Sequence, residues 1–115
     1  MCGNDSIAGQ AIRALSEHRL AGGVCVVGQD ADLDACQRIV EGTQCMTVYK
    51  PVEKLARRAA ELAVKLAQGE ELEVERRISD GSGMIPYECL QPIAVTKENM
   101  ARLLRVNITR PVTFT

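Results

Sequence analysis

The chain predicts an α/β fold built around a parallel sheet, and three stretches carry that reading. They are the apolar run Gly23-Val24-Cys25-Val26-Val27, the helical spacing of Leu33, Cys36, Ile39 and Val40, and a second run Cys45-Met46-Thr47-Val48-Tyr49. A short continuous apolar run after a glycine pair reads as a strand buried on both faces, as strands of parallel sheets are. Strand, helix and strand in succession then make one βαβ unit.

The remaining elements follow from local chemistry. Asn4 or Asp5 can cap a first helix that places Ile7, Ala11, Ile12 and Leu15 at helical spacing, and Gly22-Gly23 ends that segment. The second helix runs to about Val40 and stops at Gly42. Pro51, suited to a first helical turn, opens the clearest helical pattern of the chain: Val52, Leu55, Ala59, Leu62, Ala63 and Leu66, with Glu61 four residues before Lys65 and Gly69 as the stop. Leu72 to Ile78 reads as an exposed or edge strand, and Asp80-Gly81-Ser82-Gly83 is turn chemistry. This turn lacks the Gly-Lys-Ser/Thr ending of a phosphate-binding loop. Ile93-Ala94-Val95 forms a last strand, Thr96 caps a short helix containing Met100, Leu103 and Leu104, and Pro111 closes off regular structure.

Composition narrows the function classes. With 115 residues and 46% hydrophobic content, the chain can bury one modest core but not two complete domains. Fourteen basic and 15 acidic residues are well mixed, for a formal net charge of -1, which gives no footprint for nucleic acid or an anionic membrane. No apolar run approaches the length of a membrane span, and Met1-Cys2-Gly3-Asn4-Asp5 is unlike a secretory signal, so the chain as written reads as cytoplasmic.

Five cysteines (Cys2, Cys25, Cys36, Cys45, Cys89) form no Cys-x-x-Cys pair and accompany a single histidine, so zinc-ligand spacing is absent and no metal site is expected. Cys25 and Cys36 fall inside apolar patterns and read as buried, reduced thiols, whereas Cys45 and Cys89 are placed for intermolecular pairing. His18 sits near a helix C-terminus, where a partly cationic ring suits the dipole. No serine or cysteine lies in a Gly-x-Ser-x-Gly turn and the histidine has no nucleophile beside it, so neither an enzyme nor a cofactor is expected.

Three polar residues are candidates for ligand binding. Asp30 follows the first strand, and in open α/β sheets ligands sit beyond the carboxyl ends of parallel strands. Its carboxylate can accept from two vicinal hydroxyls at once, or it can serve as a helix cap. Lys50 ends the second strand just before Pro51, where the backbone is held extended; its ammonium either donates into a polar cleft or lies in water. Asn4 can address hydroxyls with its amide or cap the first helix. Asp32 and Asp34 suit a first helical turn.

These residues sit in longer motifs: Asn4-Asp5-x-x-Ala8-Gly9-x-Ala11-Ile12, Gly28-Gln29-Asp30-Ala31-Asp32-Leu33, and Arg38-Ile39-Val40-x-Gly42-Thr43-Gln44-x-Met46-Thr47-Val48-Tyr49-Lys50-Pro51. Together they closely resemble xylose-binding periplasmic proteins, which are type I sugar-binding proteins of ABC transporters. The similarity is specific from Asn4 to about residue 70 and continues weakly through Leu90-Gln91-Pro92-Ile93 to the helix near Met100.

The resemblance implies a three-layer, parallel-sheet type I periplasmic-binding-protein-like fold, incomplete, with parts of two lobes that close over a pentose. By that resemblance residues 1–46 are a carboxyl-lobe-like βα segment, 47–92 a hinge with an amino-lobe-like helix and strand, and 93–115 a return strand, short helix and tail. Asn4, Asp30 and Lys50 then match sugar-contacting positions, and the chain matches only the carboxyl-terminal portion of a family member. Aromatic stacking rings of the family come from the other half, while this chain has no Trp, one Phe (Phe114) and two Tyr (Tyr49, Tyr87). Each charge-assisted hydrogen bond contributes about 1.5 to 3 kcal/mol, so half a site implies millimolar binding or weaker.

The family further implies a periplasmic location and a membrane permease as partner. Uncovered sheet edges and helix faces imply a homo-oligomer or a lobe contributed by other polypeptide. Two other readings stand beside xylose-type pentose binding: the effector-sensing portion of a cytoplasmic sugar-responsive regulator, and an assembly remnant that binds no sugar.

Overall fold

The computed structural model describes residues 1–74 and 76–102. Its elements are α1 (Asp5–Glu17), α2 (Leu33–Glu41), β1 (Thr47–Tyr49), α3 (Val52–Ala67), β2 (Arg76–Ser79), β3 (Met84–Tyr87) and β4 (Ile93–Val95). They divide into two units: Met1–Lys50 with the residues from Pro92 onward, and Pro51–Gln91. The expected helix positions Leu103 and Leu104, the stop at Pro111 and Phe114 lie outside the described residues.

The first unit is a βα arrangement with two small apolar clusters. Cys2 N–H donates to the Val27 carbonyl at 2.9 Å, Gly28 N–H to Met46 at 3.0 Å, and Asp30 N–H to Val48 at 2.9 Å. Partner numbers rise together and Val27 bridges Met46 in parallel, so three neighbouring segments run in one direction. On the far side β1 pairs antiparallel with β4, Thr47 opposite Val95 and Tyr49 opposite Ile93. Helix α1 packs Ala8 and Ile12 on Val26, and α2 packs Cys36 and Ile39 on Val95 and Met100.

One strand departs from expectation. Within Gly23–Val27 only Val26 is fully buried and only Val27 bridges a partner; Val24 and Cys25 are exposed. The run is therefore covered on one side, where Val26 meets α1, and Cys25 is not the buried thiol its apolar neighbours suggested. Its carbonyl-side neighbours still join the ladder, which keeps the segment in register with the second run. Cys36 is buried as expected, and loss of solvation, followed by the nearby Asp5 and Asp32 charges, pushes its thiol above the ordinary value.

Chain ends of the helices follow their caps. Asn4 Oδ1 accepts from Ile7 N–H at 2.9 Å, and His18 takes the C-cap of α1. Helix α2 ends at Gly42 with φ of 88°, a left-handed conformation that places its N–H on the Arg38 and Ile39 carbonyls.

In the second unit α3 buries none of its residues, and the β2–β3 hairpin pairs Arg76 with Tyr87 and Ser79 with Met84. Asp80 organises the turn by accepting from Ser82 N–H at 2.8 Å and Gly83 N–H at 2.9 Å, which lowers its carboxyl below the usual range. Arg58 on α3 holds the Glu88 carboxylate in a fork, Nε at 2.6 Å and Nη2 at 2.9 Å, and pairs with Glu61 at 3.3 Å. The hairpin partner β3 was not evident from the sequence, because Pro86 interrupts its pattern.

Candidate functional site

Asn4, Asp30 and Lys50 each follow the carboxyl end of one of the three parallel segments, so adjacency of the segments makes the residues neighbours along one rim. Asp5 N–H donates to the Gln29 carbonyl at 2.8 Å, which ties the first end to the second. Lys50 Nζ reaches Asp30 Oδ1 at 2.7 Å, which ties the second to the third. The ion pair is open to solvent, with the two side chains 42% and 40% exposed. Asn4 is the member not drawn into that pair; its Oδ1 caps α1 and its amide NH₂ takes no part in that bond.

Asp30 does not cap α2. That position belongs to Asp32, whose side chain makes no capping bond, and whose N–H instead donates to Asp5 Oδ2 at 3.0 Å. Asp30 and Ala31 have φ of 108° and 57°, two consecutive non-glycine residues in a region costly for L-amino acids. Such strain costs about 1 to 3 kcal/mol per residue and survives only where neighbouring contacts over-determine it. Here Asp30 N–H is held by Val48, and Ala31 N–H by Thr47 Oγ1 at 3.1 Å. The strained turn aims an acceptor carboxylate at the donor ammonium across the rim. A sugar hydroxyl, donor and acceptor in one group, matches both.

Beneath the rim lies a polar core that sequence reasoning missed. Asp5 is 1% exposed, and its carboxylate accepts from Thr47 Oγ1 at 2.8 and 2.9 Å, Gln44 Nε2 at 2.9 Å and Asp32 N–H. Arg38 completes the cluster, Nη2 on the Asp5 carbonyl and Nε on Gln44 Oε1, both at 3.0 Å. Gly28 is required at its place because any Cβ there would collide with Asp5 Oδ1. Asp5 reads from the sequence as a capping residue; the signal that could have exposed its role is the pair of polar residues Gln44 and Thr47, one just before and one within an otherwise apolar run. Among the described residues no group of three His, Cys, Asp or Glu could hold a metal ion, and no helix is long and apolar enough to cross a membrane.

Fold and rim together define an α/β unit with polar groups gathered at parallel strand ends, the place where sheets of this class hold ligands. Residues 1–71 match the family model described as periplasmic binding protein domain, and the chain belongs to that family. It is similar to the D-xylose-binding periplasmic protein of Haemophilus influenzae, 52% identical over 97 residues, and to that of Escherichia coli, 48% identical over 97 residues. Each alignment covers 84% of this chain and 29% of the relative, so the chain spans under a third of their length. An ABC transporter solute-binding protein from Clostridium phytofermentans, solved with bound β-D-glucose, superposes with a TM-score of 0.69 at 26% identity, over 88% of this chain and 32% of that one. The described structure is thus a small α/β portion of the type I fold.

Proposed function

We propose that this chain supplies one wall of a monosaccharide-binding site, a xylose-type pentose being the ligand class, and that it acts by binding without catalysis or cofactor. Asp30, Lys50 and Asn4 are the contacting side chains in this reading. The observation that carries it is the strained Asp30-Ala31 turn presenting a carboxylate 2.7 Å from the Lys50 ammonium at parallel strand ends. Relatives named for D-xylose binding in the periplasm support the pentose and a periplasmic location over a cytoplasmic regulator, and the similarity to an ABC transporter solute-binding protein supports a permease partner. Asp30, being no helix cap, weighs against a remnant that binds no sugar.

The test is a chemical-shift titration with xylose, ribose and glucose on the parent and on Asp30→Ala, a readout suited to millimolar affinity. Saturable shifts at Asn4, Asp30 and Lys50 with a pentose, lost in Asp30→Ala, are the expected result. No shift with any of the three sugars sinks the reading.

A partner is favoured by the second unit. Val52, Leu55, Val64 and Leu66 on α3 are 51 to 62% exposed, an apolar surface of the kind that other polypeptide covers. We infer a further lobe or a second copy as its cover. Sedimentation separates these two: a concentration-dependent dimer identifies the second copy, and a monomer leaves the lobe.

A further inference from the structure

The apolar runs that build the parallel segments also carry two cysteines to one spot. Val26 and Gln44 point inward, Val26 onto Ala8 and Ile12, and Gln44 onto Asp5. Their neighbours Cys25 and Cys45 are correspondingly exposed, both as free thiols. Cys45 N–H donates to the Val26 carbonyl at 2.8 Å, which sets the two cysteines on adjacent chains at the amino ends of the segments. The parallel bridge of Val27 to Met46 sets Cys45 opposite Val26, one residue along from Cys25. Strands about 4.8 Å apart with a rise of about 3.3 Å per residue put the two Cα atoms roughly 6 Å apart, inside the roughly 4.4 to 6.8 Å that a disulfide spans.

We propose that Cys25 and Cys45 form a thiol–disulfide exchange site, closed by a low-molecular-weight disulfide into a cross-strand bond that staples the βαβ unit at the end opposite Asp30 and Lys50. One thiolate attacks a sulfur of the incoming disulfide, forming a mixed disulfide and releasing one thiol. The second cysteine then attacks the protein sulfur of that mixed disulfide and expels the second thiol. Two electrons pass from the protein to the oxidant, and the two cysteine protons end on the two released thiols or in water. The neighbouring Cys45, ahead of burial, raises the Cys25 thiol above its ordinary value. The closed loop contains α2, so the bond constrains the unfolded state of the whole βαβ unit.

Oxidised glutathione is the probe. On the folded parent, titratable thiols counted after denaturation fall from five to three, the mass drops by two hydrogen atoms, and peptide mapping joins the Cys25 and Cys45 peptides of one molecule. The urea midpoint rises and returns on reduction. Cys25→Ser and Cys45→Ser each lose both the link and the rise, whereas Cys89→Ser keeps them. Five persisting thiols, a stable glutathione adduct on either cysteine, or a link from Cys25 to Cys2 or between molecules overturns the proposal.

Discussion

The Lys50 ammonium closes on the Asp30 carboxylate at 2.7 Å although Asp30 sits at a φ of 108°, so an exposed ion pair is held in place by a backbone that no helix or strand would choose. An exposed pair contributes only about 0 to 1 kcal/mol. It cannot by itself offset strain of about 1 to 3 kcal/mol. The stabilising side of the balance is the hydrogen bonding around it, Asp30 N–H to Val48 and Ala31 N–H to Thr47.

That balance predicts a separation of stability from binding at position 30. Asp30→Gly removes the strain and the ion pair together, and the greater freedom of glycine in the unfolded chain takes back about 1 kcal/mol. Chemical denaturation is expected to show stability between about 1 kcal/mol below and about 2 kcal/mol above the parent, while the pentose-induced shifts disappear. A loss of more than about 2 kcal/mol would mean that the carboxylate is structural.

Asp5 has the reverse balance. Its carboxylate satisfies the Thr47 hydroxyl, the Gln44 amide and the Asp32 N–H inside the first unit. Asp5→Ala leaves those donors buried without an acceptor, at about 1 to 3 kcal/mol for each one water cannot reach. The expected loss is at least about 3 kcal/mol in a urea titration. Gly28→Ala pushes a methyl group into the same carboxylate and is expected to lose about 1 to 3 kcal/mol. A wild-type midpoint for either variant contradicts the network.

The contrast between these residues explains what could be read from the sequence. Helices α1, α2 and α3 were legible because their apolar spacing, Asn4, Gly42 and Pro51 are local signals that tertiary contacts did not override. The rim was legible because Asp30 and Lys50 end strand-like runs, and strand ends are where α/β sheets place ligands. The Asp5 cluster was not, since it joins residues up to 42 positions apart whose roles exist only once α1 packs beside β1. Asp30 could not be told from a helix cap because the choice depends on φ, which composition and spacing do not encode. Exposure of Cys25 was hidden for a related reason: an apolar run signals a strand without saying how many of its faces are covered.

In the second unit Glu88 sets a pH dependence. The Arg58 guanidinium holds its carboxyl below the ordinary value of 4.5 and is itself raised in return. A carboxyl depressed on folding stabilises the fold above its unfolded value, and that stabilisation is lost as pH falls through the lower folded value. The link between α3 and the segment after β3 is therefore whole at neutral pH and loosens only on acidification below about 4.5. A carbon-detected NMR titration should place the Glu88 midpoint below 4.5 in the parent and return it toward 4.5 in Arg58→Gln. Equal midpoints in the two proteins would show the fork to be without effect.

Asn4 allows its two roles to be measured apart, because capping uses Oδ1 and ligand donation would use the amide NH₂. Asn4→Asp retains a carboxylate oxygen for Ile7 N–H, and aspartate caps about as well as asparagine, so stability should stay within about 0.5 kcal/mol of the parent. The donor is gone, and one neutral hydrogen bond of about 0.5 to 1.5 kcal/mol corresponds to a roughly 2- to 13-fold weaker pentose affinity. Asn4→Ala removes both and should lose about 1 kcal/mol of stability along with the affinity. Unchanged affinity in Asn4→Asp, with the stability loss confined to Asn4→Ala, would assign Asn4 to the helix cap alone and leave the rim to Asp30 and Lys50.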